Sequence, residues 1–248
     1  MKRMIIGALL LCALAPQAHA DVQSAIDSYR AGDFQAAFDE LQTLADRNDP
    51  LAQHALGLMY AEGAGVARDR TEATRWYAKA AEQGLAQSQY NLAVSYYTGI
   101  GAPQDYALAA EWYRKAAEQG DARAQNNLGY MYDTNRGVEA DAEQAVYWYQ
   151  LAATAGNVNA QINLANSYHR GQGVEQNDDK ALEWYTQVFD GLHTQDPLSL
   201  WVVDRVGRTS SYSGADDEVV AVPRLETKDF TRPPGVDPAL RPLSNFNR

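Results

Sequence analysis

Apolar and aromatic positions recur every 36 residues between residues 52 and 191 of this chain. Within each period, apolar residues lie at helical spacing on both sides of a glycine-bearing turn, which predicts two antiparallel helices per unit. The aligned positions are Leu56, Leu92, Leu128 and Leu164; Tyr60, Tyr96, Tyr132 and Tyr168; and Trp76-Tyr77, Trp112-Tyr113, Trp148-Tyr149 and Trp184-Tyr185. A unit of this length cannot bury its apolar face alone, so the pattern predicts an all-α solenoid of stacked helix pairs.

Polar residues and glycines mark the ends of these helices. The second helix of each unit is predicted to begin after a residue favoured at the N-cap, namely Asp69, Asp105, Asp141 and Asn177. The first helix ends before Gly63, Gly99 and Gly171, with Asn135 at the same place in the third unit, and these residue types tolerate left-handed backbone. The glycines are therefore interpreted as helix terminators and not as a phosphate loop, which would follow a strand.

The repeated pattern Asn-Leu-Gly/Ala, Tyr, Gly-x-Gly-Val, Trp-Tyr and Ala-Ala resembles the Sel1-like repeat family, a branch of the tetratricopeptide superfamily. The resemblance covers four units over residues 49–191, and Tyr29, Gly32-Asp33-Phe34 and Ala37 make residues 21–48 similar to a tetratricopeptide helix pair. It implies a right-handed α/α superhelical solenoid of about five helix pairs. Exported relatives act as adaptors or regulators that bind sensor proteins, envelope machinery, flagellar motor parts or host proteins. A shared scaffold favours protein binding but does not name a partner.

The two ends of the chain differ from the repeats. Residues 1–20 carry Lys2 and Arg3, an apolar run and Ala18-His19-Ala20, which predicts a signal peptide, export, and a mature chain that starts at Asp21. The periplasm is the expected location, with the extracellular space as the alternative. Beyond the repeats, residues 192–208 are predicted to form a capping helix, and residues 209–248 a Pro-rich, largely irregular tail.

The composition argues against several function classes. The chain has 32 acidic and 21 basic residues, a net charge of −11, so nucleic acid is not an expected partner. No stretch after the predicted signal is long and apolar enough to predict a membrane span. The sole cysteine, Cys12, lies in the predicted signal, and the remaining histidines, His54, His169 and His193, lack metal-site spacing. We therefore expect no metal, no cofactor and no catalytic residue.

The tetratricopeptide register, carried over with the repeat leucine as anchor, places a binding surface on the concave side of each first helix. The three rows are His54, Tyr90, Asn126 and Ile162; Leu58, Val94, Tyr130 and Asn166; and Ala61, Tyr97, Asp133 and His169. Scaffold positions repeat while these vary, so we predict that they select the partner, with Tyr90, Tyr97 and Tyr130 as anchor. Asn91, Asn127 and Asn163 precede the repeat leucine, and two roles remain open for them: holding a peptide backbone or bonding within the scaffold.

The sequence thus favours an adaptor or regulator that binds a protein or an extended peptide, such as a segment of an envelope or sensor protein. One alternative is a structural subunit of an envelope assembly, such as a motor, secretion or polysaccharide complex. The other is an enzyme acting on cell-wall fragments or β-lactam-like ligands, by analogy with cysteine-rich exported relatives. Those relatives pair cysteines within each repeat, and this chain lacks them.

Overall fold

The computed structural model describes the backbone of residues 16–192 and the side chains of residues 22–188. Ten helices follow one another: α1 (Pro16–Ala31), α2 (Phe34–Asp46), α3 (Pro50–Glu62), α4 (Arg70–Glu82), α5 (Ala86–Thr98), α6 (Tyr106–Glu118), α7 (Ala122–Thr134), α8 (Ala142–Thr154), α9 (Val158–Arg170) and α10 (Asp178–Leu192). From α1 to α9, each helix packs mainly against its neighbours in sequence. In this described part every regular element is helical, which confirms the predicted all-α solenoid.

The predicted signal, cap and tail are only partly covered by the structure. Helix α1 begins at Pro16, inside the predicted signal, whereas residues 1–15 lie outside the described residues. The predicted capping helix and tail lie outside them too, apart from Leu192, where α10 ends. The chain divides into two compact units, Met1–Val188 and Phe189–Arg248, and the surface considered below belongs to the first.

Side-chain caps fix where the second helix of each unit begins, as the sequence predicts. Asp69 accepts a hydrogen bond from the backbone N–H of Glu72 at 2.9 Å, and Asp105 and Asp141 make the same bond three residues on. Asn177 accepts from the N–H of Lys180, also at 2.9 Å. Each cap satisfies a helix N–H that has no partner within the helix.

Left-handed residues end the first helix of each unit, which also confirms the prediction. Gly63 has φ 76° and Gly99 φ 76°, and Asn135 takes the same role at φ 55°. The second glycine of each loop is required for a further reason, which is its close contact with the preceding unit. A Cβ on Gly137 would lie 2.0 Å from the carbonyl oxygen of Tyr106, at the start of α6 in the preceding unit. The loop therefore touches the neighbouring helix so closely that only glycine fits.

Alanine and glycine allow the helices to approach one another. A Cβ on Gly57 would meet the Tyr77 ring at 2.4 Å, and one on Gly129 would meet the Tyr149 ring at 2.8 Å. Ala93, at the same position of the second unit, is fully buried. In the first and third repeats the tyrosine of the Trp-Tyr pair thus packs against the residue that follows the repeat leucine. A larger residue there would overpack the interface, at a cost of about 1 to 3 kcal/mol.

A row of glutamines joins successive units, and the sequence analysis missed it. Each donates from Nε2 to the backbone carbonyl eight residues earlier: Gln53 to Ala45, Gln89 to Ala81, Gln125 to Ala117 and Gln161 to Ala153. These carbonyls lie near the C-terminal ends of the preceding helices, where backbone acceptors lack partners within the helix. The 36-residue spacing of the four glutamines was visible in the sequence and is the signal that could have found them.

Candidate protein-binding surface

The positions predicted to bind a partner lie on α5, α7 and α9, the first helices of three successive units. We call this surface the helix A face; it comprises Tyr90, Asn91, Val94, Tyr97, Asn126, Asn127, Tyr130, Asp133, Ile162, Asn163, Asn166 and His169. Side chains link α9 and the loop after it to α7. Asn163 on α9 donates to Oδ1 of Asn126 on α7 at 3.0 Å, and Gln172, just after α9, donates to Oδ1 of Asp133 on α7 at 2.6 Å.

Exposure divides the helix A face into two groups. Partly exposed are Tyr90, Asn91, Val94, Tyr97, Asn127, Asp133 and His169. Buried are Asn126 (3% exposed), Tyr130 (7%), Ile162 (7%), Asn163 (8%) and Asn166 (5%). The buried group packs within the solenoid and offers a partner little surface, so its role in binding stays a prediction. Of the three anchor tyrosines, Tyr90 and Tyr97 remain accessible.

Tyrosine rings from two helices form a cluster at the α5 end of this face. The ring centroid of Tyr113, a buried residue of α6, lies 5.8 Å from that of Tyr90 and 6.4 Å from that of Tyr97. Tyr97 also meets Tyr106 edge to face at 5.2 Å. Burial raises the pKa of Tyr97, while the Arg136 guanidinium opposes this effect. Tyr97 is therefore neutral near pH 7, and the cluster presents aromatic surface with hydroxyls at its edge.

Two arginines lie against these rings. The guanidinium of Arg123 lies over the Tyr90 ring, with Cζ 4.2 Å from its centroid, and also pairs with Asp121 at 2.7 Å. Arg136, in the loop between α7 and α8, donates from Nη1 to the hydroxyl of Tyr97 at 2.5 Å. Its Cζ lies 5.9, 5.7 and 5.7 Å from the centroids of Tyr97, Tyr106 and Tyr130. Cation–π attraction of this kind helps to hold a guanidinium in place.

The three asparagines that precede the repeat leucine have different surroundings. Asn163 is bonded to Asn126, and Asn127 accepts from Nδ2 of Asn126 at 3.3 Å. Asn127 also hydrogen-bonds Tyr113. Asn91 is partly exposed, and its side-chain amide has no hydrogen-bond partner among the described residues. Of the two roles left open by the sequence, Asn127 and Asn163 show bonding within the scaffold, whereas binding of a partner by Asn91 stays a prediction.

The α9 end of the face is more polar. The hydroxyl of Tyr185 donates to Oδ1 of Asn166 at 2.6 Å, but Nδ2 of Asn166 is buried without a partner. His169 contacts Asp178 through Nδ1 at 2.8 Å. Burial raises the pKa of Asp133, and the nearby Arg170 opposes it. This end combines hydrogen-bond donors and acceptors, in contrast to the aromatic α5 end.

Four consecutive segments of the chain match the Sel1 repeat, at residues 50–85, 86–121, 122–157 and 158–187. The match extends over more than half of the sequence. The chain belongs to the Sel1 repeat family. Its four Sel1 repeats are the helix pairs α3–α4, α5–α6, α7–α8 and α9–α10, and the pair α1–α2 precedes them. Sel1 repeat proteins are in general scaffolds for protein interaction.

Solved structures of other Sel1 repeat proteins resemble this one. A Sel1 repeat protein from Oxalobacter formigenes is 34% identical, with a TM-score of 0.65 over 68% of this chain and 70% of that one. The protective antigen c5321 of uropathogenic Escherichia coli, which displays the same repeat fold, is 33% identical, with a TM-score of 0.69 over 75% of this chain. The match spans only 40% of the antigen's length. No curated protein matches this chain.

The corresponding position in the first Sel1 repeat, on α3, is buried and lies outside the helix A face. His54, at the position of Tyr90 and Asn126, is buried and contacts Oγ of Ser88 through Nδ1 at 2.7 Å. Its Nε2 is buried without a partner. Burial lowers the pKa of His54 to about 4, and the positive charge of Arg123 acts in the same direction. His54 is therefore neutral at pH 7, and Ser88 beside it is fully buried, so the pair cannot reach a substrate.

The outer side of the third Sel1 repeat carries an exposed apolar pair that the sequence analysis did not single out. Tyr147 is 52% and Leu151 37% exposed, one turn apart on α8. The positions of Leu151 in the first two repeats are Lys79 and Lys115, whose ammonium groups lie 3.5 and 3.7 Å from the ring centroids of Trp76 and Trp112. Tyr147 and Leu151 lie on α8, the second helix of their repeat, and do not belong to the helix A face.

The described residues show no group of His, Cys, Asp and Glu side chains that could hold a metal ion. Among these same residues, no helix has the length and hydropathy that crossing a bilayer requires. What the helix A face offers is aromatic surface, one open amide and two arginines held against rings. This combination suits recognition of a polypeptide by stacking and hydrogen bonding.

Proposed function

We propose that this Sel1 repeat protein is an exported adaptor or regulator that holds an extended segment of a partner protein on the helix A face. The observation that carries the proposal is the difference between repeated and varied positions. Leu56, Leu92, Leu128 and Leu164 are alike and buried in all four repeats, whereas the varied positions Tyr90, Val94 and Tyr97 remain partly exposed on α5. These three side chains pack at the edge of a core cluster and keep part of their surface open, and this open part is available to a partner.

The open groups on α5 fit a polypeptide. Tyr90 and Tyr97 offer large contact area at a low cost in side-chain entropy, and the amide of Asn91 lies beside them with both a donor and an acceptor. An extended peptide presents a backbone carbonyl and an N–H at each residue and needs such partners when it leaves water. Val94, between the two tyrosines, supplies apolar contact.

Export is the second part of the proposal, with the periplasm as the destination. Val22, Ala25 and Ile26 of α1 are buried and lie after the predicted cleavage point, so removal of residues 1–20 leaves them in the chain. The mature chain would therefore keep these three core side chains. N-terminal sequencing of the native protein tests this part: a mature start at Asp21 supports export, and an uncleaved chain in the cytoplasmic fraction contradicts it.

Affinity capture from the native cell envelope tests the binding part. We expect the wild-type chain to retain a specific protein and the Val94→Lys variant to lose it. The matched control is Leu151→Lys, which places the same charge on the outer side of α8, where the first two repeats already have lysine. Loss of the captured protein with both variants, or with neither, would contradict binding at the helix A face.

A further inference from the structure

Arg136 lies in the loop that follows α7, at a position that has no charge in the other Sel1 repeats. The corresponding residues are Ala64, Ile100 and Gln172. The arginine is therefore particular to the third repeat and is not a scaffold residue of the family pattern. Because it points back to α5, it reaches the part of the helix A face that carries the accessible tyrosines.

Three tyrosines enclose the guanidinium of Arg136. It donates to the Tyr97 hydroxyl, and its Cζ lies within 6 Å of the ring centroids of Tyr97, Tyr106 and Tyr130. The side chain is partly exposed. A guanidinium has five N–H donors, and the bond to Tyr97 uses one of them. The bond to Tyr97 thus leaves four donors on a partly exposed side chain that lies among the rings.

No carboxylate within residues 22–188 forms an ion pair with Arg136. This is unexpected in a chain with 32 acidic residues and a net charge of −11. Asp133, on the same helix A face, is bonded to Gln172 instead, and Arg170 is the cation that acts on its pKa. Arg136 thus carries a positive charge that lies among aromatic rings and has no counter-ion among residues 22–188.

A purely structural role would not require an arginine here. In the next repeat Gln172 takes the same place, and its side-chain amide donates to Asp133, 39 residues earlier, as Arg136 donates to Tyr97, also 39 residues earlier. A neutral amide is therefore sufficient to link the loop of one repeat to the first helix of the preceding one. The charge and the extra donors of Arg136 exceed what this link needs.

We propose that Arg136, held by Tyr97, Tyr106 and Tyr130, is a subsite for a carboxylate, so that the partner segment on the helix A face carries an acidic residue. This inference rests on the proposed function and specifies its partner. A carboxylate fits the planar guanidinium through two parallel hydrogen bonds, and the aromatic surroundings strengthen such bonds by excluding water. The neighbouring Asn91 and Val94 would hold the adjoining backbone and an apolar side chain.

The test is a selection from a library of random nine-residue peptides displayed on phage, with the full mature chain as bait. We expect the selected peptides to share an acidic residue. A synthetic copy of the best peptide, in which that Glu or Asp is replaced by Gln or Asn, should bind the wild-type chain about 10- to 100-fold more weakly in fluorescence polarisation, the effect of a charge-assisted hydrogen bond.

The Arg136→Gln variant provides the reciprocal change, because it copies Gln172 and keeps a donor for Tyr97. It should bind the acidic peptide as weakly as the wild-type chain binds the neutral one, and should no longer distinguish the two. The control is Arg114→Gln. Arg114, on α6, also donates to a tyrosine hydroxyl, that of Tyr132 at 2.7 Å, but does not contact the Arg136 site. This variant should keep the preference for the acidic peptide.

The outcomes separate the two proposals. If peptides are selected but show no acidic preference, or if the neutral copy binds the wild-type chain equally well, the carboxylate subsite is wrong while peptide binding stands. If the wild-type chain selects no peptides, or if the Val94→Lys variant selects the same peptides as the wild-type chain, peptide binding at the helix A face is wrong, and the subsite is wrong with it. The comparison of acidic and neutral peptides uses the wild-type chain alone and does not depend on the folding of a variant.

Discussion

The side-chain amide of Asn163 donates a hydrogen bond to Oδ1 of Asn126 at 3.0 Å, across two successive Sel1 repeats. Both residues are buried, and Asn126 in turn donates to Asn127. This chain of amides binds α9 to α7 and satisfies polar groups that would otherwise be buried without partners. Asn127 and Asn163 of the repeat pattern therefore belong to the scaffold, and the partly exposed residues of the helix A face lie mainly on α5.

Gly137, the second glycine in the loop between α7 and α8, is predicted to be required for stability because it contacts the preceding repeat. Gly137→Ala and Gly120→Ala both place a Cβ on left-handed backbone, at φ 69° and φ 89°, but only the Gly137 Cβ meets an atom, the Tyr106 carbonyl oxygen. We expect Gly120→Ala to lower the free energy of unfolding by about 1 kcal/mol and Gly137→Ala by a further 1 to 3 kcal/mol. Urea unfolding of the two variants measures the difference, and equal losses would contradict the close approach.

The glutamine row is predicted to stabilise the stacking of the repeats. Gln89 is 4% exposed, donates to the Ala81 carbonyl at 3.2 Å and accepts from Nε2 of Gln119 at 2.7 Å. Gln89→Leu keeps the side chain's bulk but leaves both groups without this partner, so we expect a loss of about 1 to 3 kcal/mol in unfolding free energy. The control Gln35→Leu, whose bond to Asp39 is exposed, should change it by less than about 0.5 kcal/mol. If Gln89→Leu lowers the unfolding free energy no more than Gln35→Leu does, the glutamine row does not stabilise the stacking.

His54 is predicted to make the solenoid less stable in acid. Its pKa is about 4 in the folded chain, below the ordinary value of 6.5, so the unfolded chain binds the proton first as the pH falls. The contribution of His54 to the free energy of unfolding is fully present above pH 6.5. It is lost as the pH decreases toward 4, by about 3 kcal/mol in total. Denaturant unfolding at pH 7 and pH 4 measures the loss.

His54→Asn is the matched variant, because Asn126 takes this position in the third repeat. Carboxylates titrate in the same way in both proteins, so the difference between their pH dependences isolates the histidine. We expect the variant to lose about 3 kcal/mol less than the wild-type chain between pH 7 and pH 4. Parallel pH profiles would mean that His54 is not buried as described.

Local signals were sufficient to predict the scaffold. Asp69, Asp105 and Asp141 cap helices because a carboxylate at that place accepts a backbone N–H three residues on, a relationship that is contained within a few residues. Asn135 ends α7 in left-handed backbone for a reason equally local, since its residue type tolerates that conformation. The 36-residue period then determined which faces had to pack against each other.

The recognition surface could be predicted only in part. Val94, Tyr130 and Asn166 share one position of the repeat, yet only Val94 is partly exposed. Arg136 lies 5.7 Å from the Tyr130 ring centroid, and Asn166 accepts a hydrogen bond from Tyr185, a residue 19 positions later. Tyr185 recurs in every repeat, but Arg136 and Asn166 do not, so a register carried from one repeat to the next does not contain these contacts.

Photo-crosslinking in the native cell envelope tests binding at the helix A face most directly. The probe, a benzoylphenylalanine, replaces Val94 on α5, and the control probe replaces Lys115, which is exposed on the outer side of α6. Our account predicts a covalent adduct with one protein from Val94 and none from Lys115, and the crosslinked peptide of that protein should contain an acidic residue. Adducts from neither position, or the same adducts from both, would contradict it.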